Sequence, residues 1–357
     1  MSNKPHKKNI LLTQTKEETI RPVERHLSYF REIVKGIENL RRLEKKQIWR
    51  EGTVDGEREM LQKKLRTSVF FWEGPLRLLN NKKILKEVKL LEDTLGLVDY
   101  QRALLKSSSD IRIKSEQKQT RRLQNRLRKK LQKSEYELSQ CIERWKKQKF
   151  ERWIKKRIDK LNLGDYWSER SIFEKAIKND LERISAKKIP KLLKHLTSEA
   201  WTEHHIESIT HELRRTIRWL PINLASLQIA EFSGGEEDNR KLEELISKNE
   251  SVYKYAKLKK GERELAPFLQ IPFEPYIKNT EIIARLGTIK DKRQVAQGLI
   301  IEIGKQLKLS STDQIEEYIK EAGIEVPRME QVLEETAKLL SEIIENSYID
   351  QLAGALS

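Results

Sequence analysis

Four cationic side chains recur at helical spacing in the segment 211–218, which reads His-Glu-Leu-Arg-Arg-Thr-Ile-Arg. At about 100° per residue, His211, Arg214, Arg215 and Arg218 fall in one broad arc, with Leu213, Ile217, Leu220 and Leu224 opposite. Such a helix packs by one face and offers guanidinium groups on the other. Each arginine keeps its charge at ordinary pH and presents a planar fork of donors matched to phosphate oxygens. The chemistry on offer is the grip of an anion. His211 adds a titratable donor whose proton a bound phosphate would favour.

Two further stripes share this design. The segment 57–72 is predicted as a helix that turns Leu61, Leu65, Val69 and Trp72 inward and leaves Glu59, Lys63 and Arg66 outside. From 115 to 161 one or two long helices are predicted, with Leu123, Leu127, Leu131 and Leu138 on one arc and Lys118, Arg121, Arg122, Arg126 and Lys129 on the other. Like charges at i, i+3 and i+4 repel one another, so a polyanion would remove a strain that the free protein carries. Aromatic residues such as Phe70, Phe71, Trp145 and Trp153 fall mostly at core-like spacing, and few stacking platforms for bases are expected.

The elements that must position these stripes are helices. The chain of 357 residues holds only 14 Gly and 9 Pro, and long windows rich in Glu, Lys, Arg and Leu dominate it, so the fold class is all-α. Helices are predicted over 23–49, with Leu27, Phe30, Val34, Ile37 and Leu40 as core, and then over 57–72, 82–106, 168–185, 188–230, 275–306, 312–322 and 327–354. Gly52 to Gly56, Gly74-Pro75 and Asn80-Asn81 read as breaks, and Asn162-Leu163-Gly164-Asp165 as the main boundary. The expected organisation is a flexible N-terminus over 1–18, a first helical bundle over 19–163, and a second over 164–357 with a charged helical insertion at 236–264.

Lys and Arg number 72 against 55 Asp and Glu, a net charge of +17, which attracts polyanions at long range. The excess is concentrated. Residues 106–160 hold 20 basic and 7 acidic side chains, whereas 311–357 hold 3 basic and 11 acidic. A single cysteine, Cys141, cannot close an internal disulfide and reads as a small core filler. The N-terminal apolar triplet Ile10-Leu11-Leu12 is too short for a secretory signal, and no apolar run approaches a membrane span, so a soluble cytoplasmic protein is expected.

Catalytic signatures are absent from the sequence: no glycine-rich loop ending in Gly-Lys-Ser/Thr, no His-Glu-x-x-His and no Gly-x-Ser-x-Gly. His204, His205, Glu207 and His211 invite a metal reading, but the neighbouring arginines repel a dication and no third ligand follows at a convincing spacing. Asp99 and Asp291 are better suited to helix capping or a salt link than to acid–base chemistry. No cofactor or metal is called for.

An internal echo links the halves. Leu95-Gly96-Leu97-Val98-Asp99 precedes Arg102, and Leu286-Gly287-Thr288-Ile289-Lys290-Asp291 precedes Arg293. Aligning Arg66 with Arg218 sets Lys63 on Arg215, Leu65 on Ile217 and Glu59 on His211. The order suggests two similar bundles whose basic faces meet in one groove. The Leu-Gly pairs are expected to serve helix packing.

These residues resemble the CHAD family, the conserved histidine α-helical domain. The resemblance is carried by His211, Leu213, Arg214, Arg215 and Arg218, then by Leu286, Gly287 and Asp291, and covers most of residues 20–345. The chain departs from the family pattern at Glu59, where a histidine is usual, at Gln62, where an arginine is usual, and at Trp219 and Pro221, where basic residues are common. The resemblance implies paired four-helix bundles with a basic groove between them, binding of inorganic polyphosphate without catalysis, and association with polyphosphate granules. The expected groove lining is Lys63, Arg66, Arg122, Arg126, Lys129, His211, Arg214, Arg215 and Arg218. Two other classes stay open: sequence-independent nucleic-acid binding, and a scaffold whose acidic C-terminal helices dock a basic protein.

Overall fold

The structure is a computed structural model that describes residues 22–47, 54–78, 82–108, 117–147, 156, 166–196, 206–253, 256–258, 269–307, 312–321 and 324–356. Among the described residues the first half forms four helices: α1 (Pro22–Gln47), α2 (Val54–Leu78), α3 (Lys82–Ser108) and α4 (Gln117–Lys147). Helix α1 opens at a proline, whose missing N–H is no loss in a first turn. It buries Tyr29, Phe30, Ile33, Ile37 and Leu40, while Val34, expected in the core, is 36% exposed. Ile33 takes the inward position. Trp72 centres this core, with ring centroids 5.0 Å from Phe30 and 5.9 Å from Trp145.

Helix α2 does not stop at Gly74-Pro75, as the sequence predicts, but runs on to Leu78. A proline removes one helical hydrogen bond and strains the preceding turn. Packing outweighs that loss here. Trp72, Glu73 and Leu76 are buried, and Gly74 lies so close to Asn223 and Ile222 that a Cβ there would collide. The glycine that marks a break in the sequence is the point where two helices touch.

In the second half α5 (Tyr166–Arg183) runs through a π turn (Ile184–Lys188) into α6 (Ile189–Leu196). A second π turn (Ile206–His211) opens directly into α7 (Glu212–Ile217), followed by α8 (Trp219–Leu227). The single helix expected over 188–230 is therefore several pieces, and it ends in a strand. That strand, β1 (Ala230–Phe232), pairs in parallel with β2 (Leu269–Ile271), a two-stranded exception in a fold otherwise dominated by helix. The insertion begins with α9 (Glu236–Lys248) and α10 (Glu250–Tyr253). The chain then forms α11 (Phe273–Leu307), α12 (Thr312–Glu321), α13 (Met329–Glu345) and α14 (Tyr348–Ala355). The helix predicted over 327–354 divides at Ser347, whose φ is 51°.

Among the described residues apolar side chains gather into three clusters. One joins α1 to α4, and a second spans residues 173–356. The third mixes the halves: Leu104, Leu123 and Leu127 pack with Leu299, Ile303, Ile315 and Ile319. Helix α11, with 35 residues, enters the second cluster through Tyr276 and Leu286 and the third through Ala296 and Leu299. The expected boundary at 162–165 lies outside the described residues. Among the described residues no helix is long and apolar enough to cross a membrane.

Candidate anion site between the two halves

The π turn of 206–211 ends on His211, so the cationic arc begins where the wide turn hands over to α7. Such turns are frequent at functional sites. Arg218 stands at the joint of α7 and α8, where α8 packs on α2 and α7 packs on α11. Its guanidinium lies 4.8 Å from the centroid of Phe70 and 5.0 Å from that of Trp219. Arg66 approaches Phe70 at 5.5 Å, Arg77 approaches Trp219 at 4.4 Å, and the two rings meet edge to face. Guanidinium and ring thus alternate across the junction from Arg66 to Arg77. Phe70 is not a core residue, as its spacing suggested, but a half-buried partner of two arginines.

The arginines differ in what answers them. Arg66 bonds the Asp99 carboxylate at 2.6 Å and lies 3.9 Å from Glu92, and Arg77 bonds buried Glu73. Among the described residues no carboxylate comes within ion-pair distance of Arg214 or Arg218. The Nε of each is buried without a hydrogen-bond partner. Burial pushes the Arg218 guanidinium down to about 10; Glu92 opposes this and Arg214 adds to it, so the side chain stays charged at neutral pH. Burial alone would raise Glu92, but hydrogen bonding to Lys89 wins and, with Arg218 and Arg66 nearby, holds the carboxyl below its usual range.

The Leu-Gly pairs make room for this. A Cβ on Gly287 would stand 2.9 Å from Arg214 Nε, and one on Gly96 would stand 3.4 Å from Arg66 Nη2. Leu95 and Leu286 are buried beside them. By packing, Arg66 therefore corresponds to Arg214, one turn away from the Arg218 match that charge alone suggests. In the shifted register Leu65 matches Leu213, Ser68 matches Thr216 and Gln62 matches Thr210, all buried, while Phe70 matches Arg218.

His211 lies behind the arginines. Burial, then Lys290, then the three arginines push its pKa down to about 4, so the ring is neutral at pH 7. Its Nδ1 is 3.5 Å from the Lys290 ammonium. Lys290, part of the Leu-Gly segment but not of the expected lining, lies three residues after Gly287 and so on the same helical side.

The remaining predicted lining residues are elsewhere. Lys63 is 68% exposed and pairs with Glu59 at 2.6 Å. Arg215 pairs with Glu212 at 2.6 Å and turns toward a separate cavity. Helix α4 docks by Leu123 and Leu127 on the far half of α11, leaving Arg122 and Lys129 exposed, with Arg126 4.0 Å from Glu302, which Lys130 also binds. No described contact joins these three to Arg218, because their apolar face belongs to a different core cluster from the residues around Arg214.

Among the described residues no group of three metal-ligating side chains occurs; His204 and His205 lie outside them. Burial pushes the Cys141 thiol up to about 11, which keeps it protonated in the first core. Asp99 makes the expected salt link, and Asp291 sits 3.3 Å from Lys290. No family model, curated protein or solved structure matches the chain.

Proposed function

We propose that the chain is a non-catalytic module that binds inorganic polyphosphate at the junction of its halves, as a divergent member of the CHAD family. The observation that supports this reading is the pair Arg214 and Arg218, half-buried neighbours with no carboxylate in ion-pair range among the described residues. Leaving donors buried and unbonded costs on the order of 1–3 kcal/mol each, and an anion with several oxygens recovers that loss. Lys290 and His211 stand next to them, and Arg66 reaches the same place from α2. Repetition of guanidinium groups suits a ligand that repeats its charge. Such a protein works in the cytoplasm, where polyphosphate and its granules are found.

Titration with polyphosphates of defined length, beside RNA and monophosphate, tests the reading. Polyphosphate should bind saturably and displace RNA at far lower phosphate concentration. If Arg66, Arg214, Arg218 and Lys290 each neutralise one phosphate, log Kd should change with log salt at a slope of about 3, by analogy with single-stranded nucleic acid. Preference for RNA would support the nucleic-acid alternative, but Phe70 already carries two guanidiniums instead of an open face for a base. The acidic C-terminal region is partly used internally, since Arg285 binds Glu335 and Glu342 of α13 and Lys292 binds Glu325 in the segment before it.

A further inference from the structure

A cavity of about 560 Å³ lies where α5 and its π turn meet α2, α3, α7 and α8. That volume is in the range of small-molecule sites. It shares Arg77 and Trp219 with the arginine cluster, but Arg214 and Arg218 do not line it. Four cations line its wall: Arg77 from α2, already paired with buried Glu73, and three that converge from the other side, Arg183 from the end of α5, Lys188 from the end of the π turn and Arg215 from α7. Leu78, Leu85 and Ala176 supply carbon surface.

The cations are unequally satisfied. Arg183 pairs with Asp180, and Arg215 with Glu212 at 2.6 Å. Lys188 is left at 3.8 Å from Glu212 and 3.5 Å from the Thr216 hydroxyl. Burial lowers its pKa, Glu212 opposing and Arg183 adding to the fall, as expected for an ammonium short of solvent and of a close counter-ion. Asn223, only 2% exposed, closes the cavity on the α8 side, its Oδ1 turned against Gly74 of α2. Apolar wall and cationic cluster together describe a ligand with a carbon body and an anionic end.

We propose that this cavity binds a small organic phosphate monoester, its phosphoryl oxygens held by Arg183, Lys188 and Arg215 and its carbon body set against Leu78, Leu85 and Ala176. The site is independent of the polyphosphate reading, because it uses different cations and a feature, the carbon body, that polyphosphate lacks.

Phenyl phosphate is the minimal probe, titrated by calorimetry into the full chain beside inorganic phosphate and phenol. One saturable site is expected, with phenyl phosphate at least about tenfold tighter than either fragment, a difference of about 1.4 kcal/mol. Lys188→Ala and Arg183→Glu should abolish it, while Arg214→Ala should leave it unchanged. Arg183 is 56% exposed, so the charge reversal spares the core, and circular dichroism verifies the fold. Failure of phenyl phosphate to saturate, equal binding of inorganic phosphate, or wild-type affinity in both folded cavity variants overturns the proposal. Polyphosphate titration of the same variants keeps the two sites apart: Arg214→Ala should weaken polyphosphate alone.

Discussion

Arg66 and Arg214 occupy matching positions, each against the glycine of a Leu-Gly pair, yet only one of them is neutralised. Asp99 and Glu92 lie within ion-pair range of Arg66, whereas Arg214 faces Lys290 and His211, which add positive charge or none, and Arg218 feels Glu92 only from beyond ion-pair distance. The same packing solution thus carries a closed ion pair in the first half and an open cationic site in the second. A paired arginine must break a bond before it can grip a ligand, and an unpaired one need not. Ligand contact should accordingly be concentrated in the second half.

The comparison breaks most directly by mutation. Arg218→Ala or Arg214→Ala should weaken polyphosphate binding about 10- to 100-fold at every ligand length, the loss of a charge-assisted hydrogen bond of about 1.5–3 kcal/mol. Arg66→Ala should cost clearly less. Equal losses at Arg66 and Arg214 in the same titration would erase the contrast. Gly287→Ala should come next, near tenfold, because its Cβ would push the Arg214 guanidinium aside, while Gly96→Ala makes only an ordinary contact and should be nearly neutral. Releasing Arg66 sharpens the contrast from the other side: Asp99→Asn should tighten binding by about fivefold, in line with roughly 1 kcal/mol for a partly exposed ion pair.

The smallest effect is proton-linked. His211 falls from 6.5 in the unfolded chain to about 4 in the fold, so between those values the unfolded chain holds more protons. Stability contributed by keeping the ring neutral is present above pH 6.5 and is lost as pH falls toward 4. Bound phosphate raises the ring's pKa, so affinity should rise in that window and proton uptake should accompany binding. His211→Gln should flatten both, as measured by thermal melts and by calorimetry in two buffers.

Much of this was readable in the chain itself. The all-α class, the helical placing of Arg214 and Arg218 on one side and the supporting role of Leu286-Gly287 follow from period and residue type, both local properties, whereas the turn of Arg215 toward Glu212 and a separate cavity does not. The partners of Arg66 do not, because Asp99 lies 33 residues away and only the packing of α2 on α3 brings it near. Gly74-Pro75 misled for a related reason: a break signal is local, and the close approach to Asn223 that keeps the helix going is not. Neither π turn leaves a periodic signature, and both put a basic residue at their last position. Phe70 had the spacing of a core residue, and nothing in sequence says that the surface across from it would be a guanidinium. Charge matching also set the two halves one turn out of register, since arginines recur at nearly every turn of 211–218 and any of them aligns.

Helix α11 takes part in two apolar clusters and carries Gly287 and Lys290 between them. Because one continuous ladder of backbone hydrogen bonds serves both ends, loosening the anchor at Ala296 and Leu299 must also loosen the floor beneath Arg214. The protein is thereby built like a beam resting on two supports: its grip on an anion at mid-span is only as firm as the footing at the far pier, and damage remote from any charge can be felt as lost affinity.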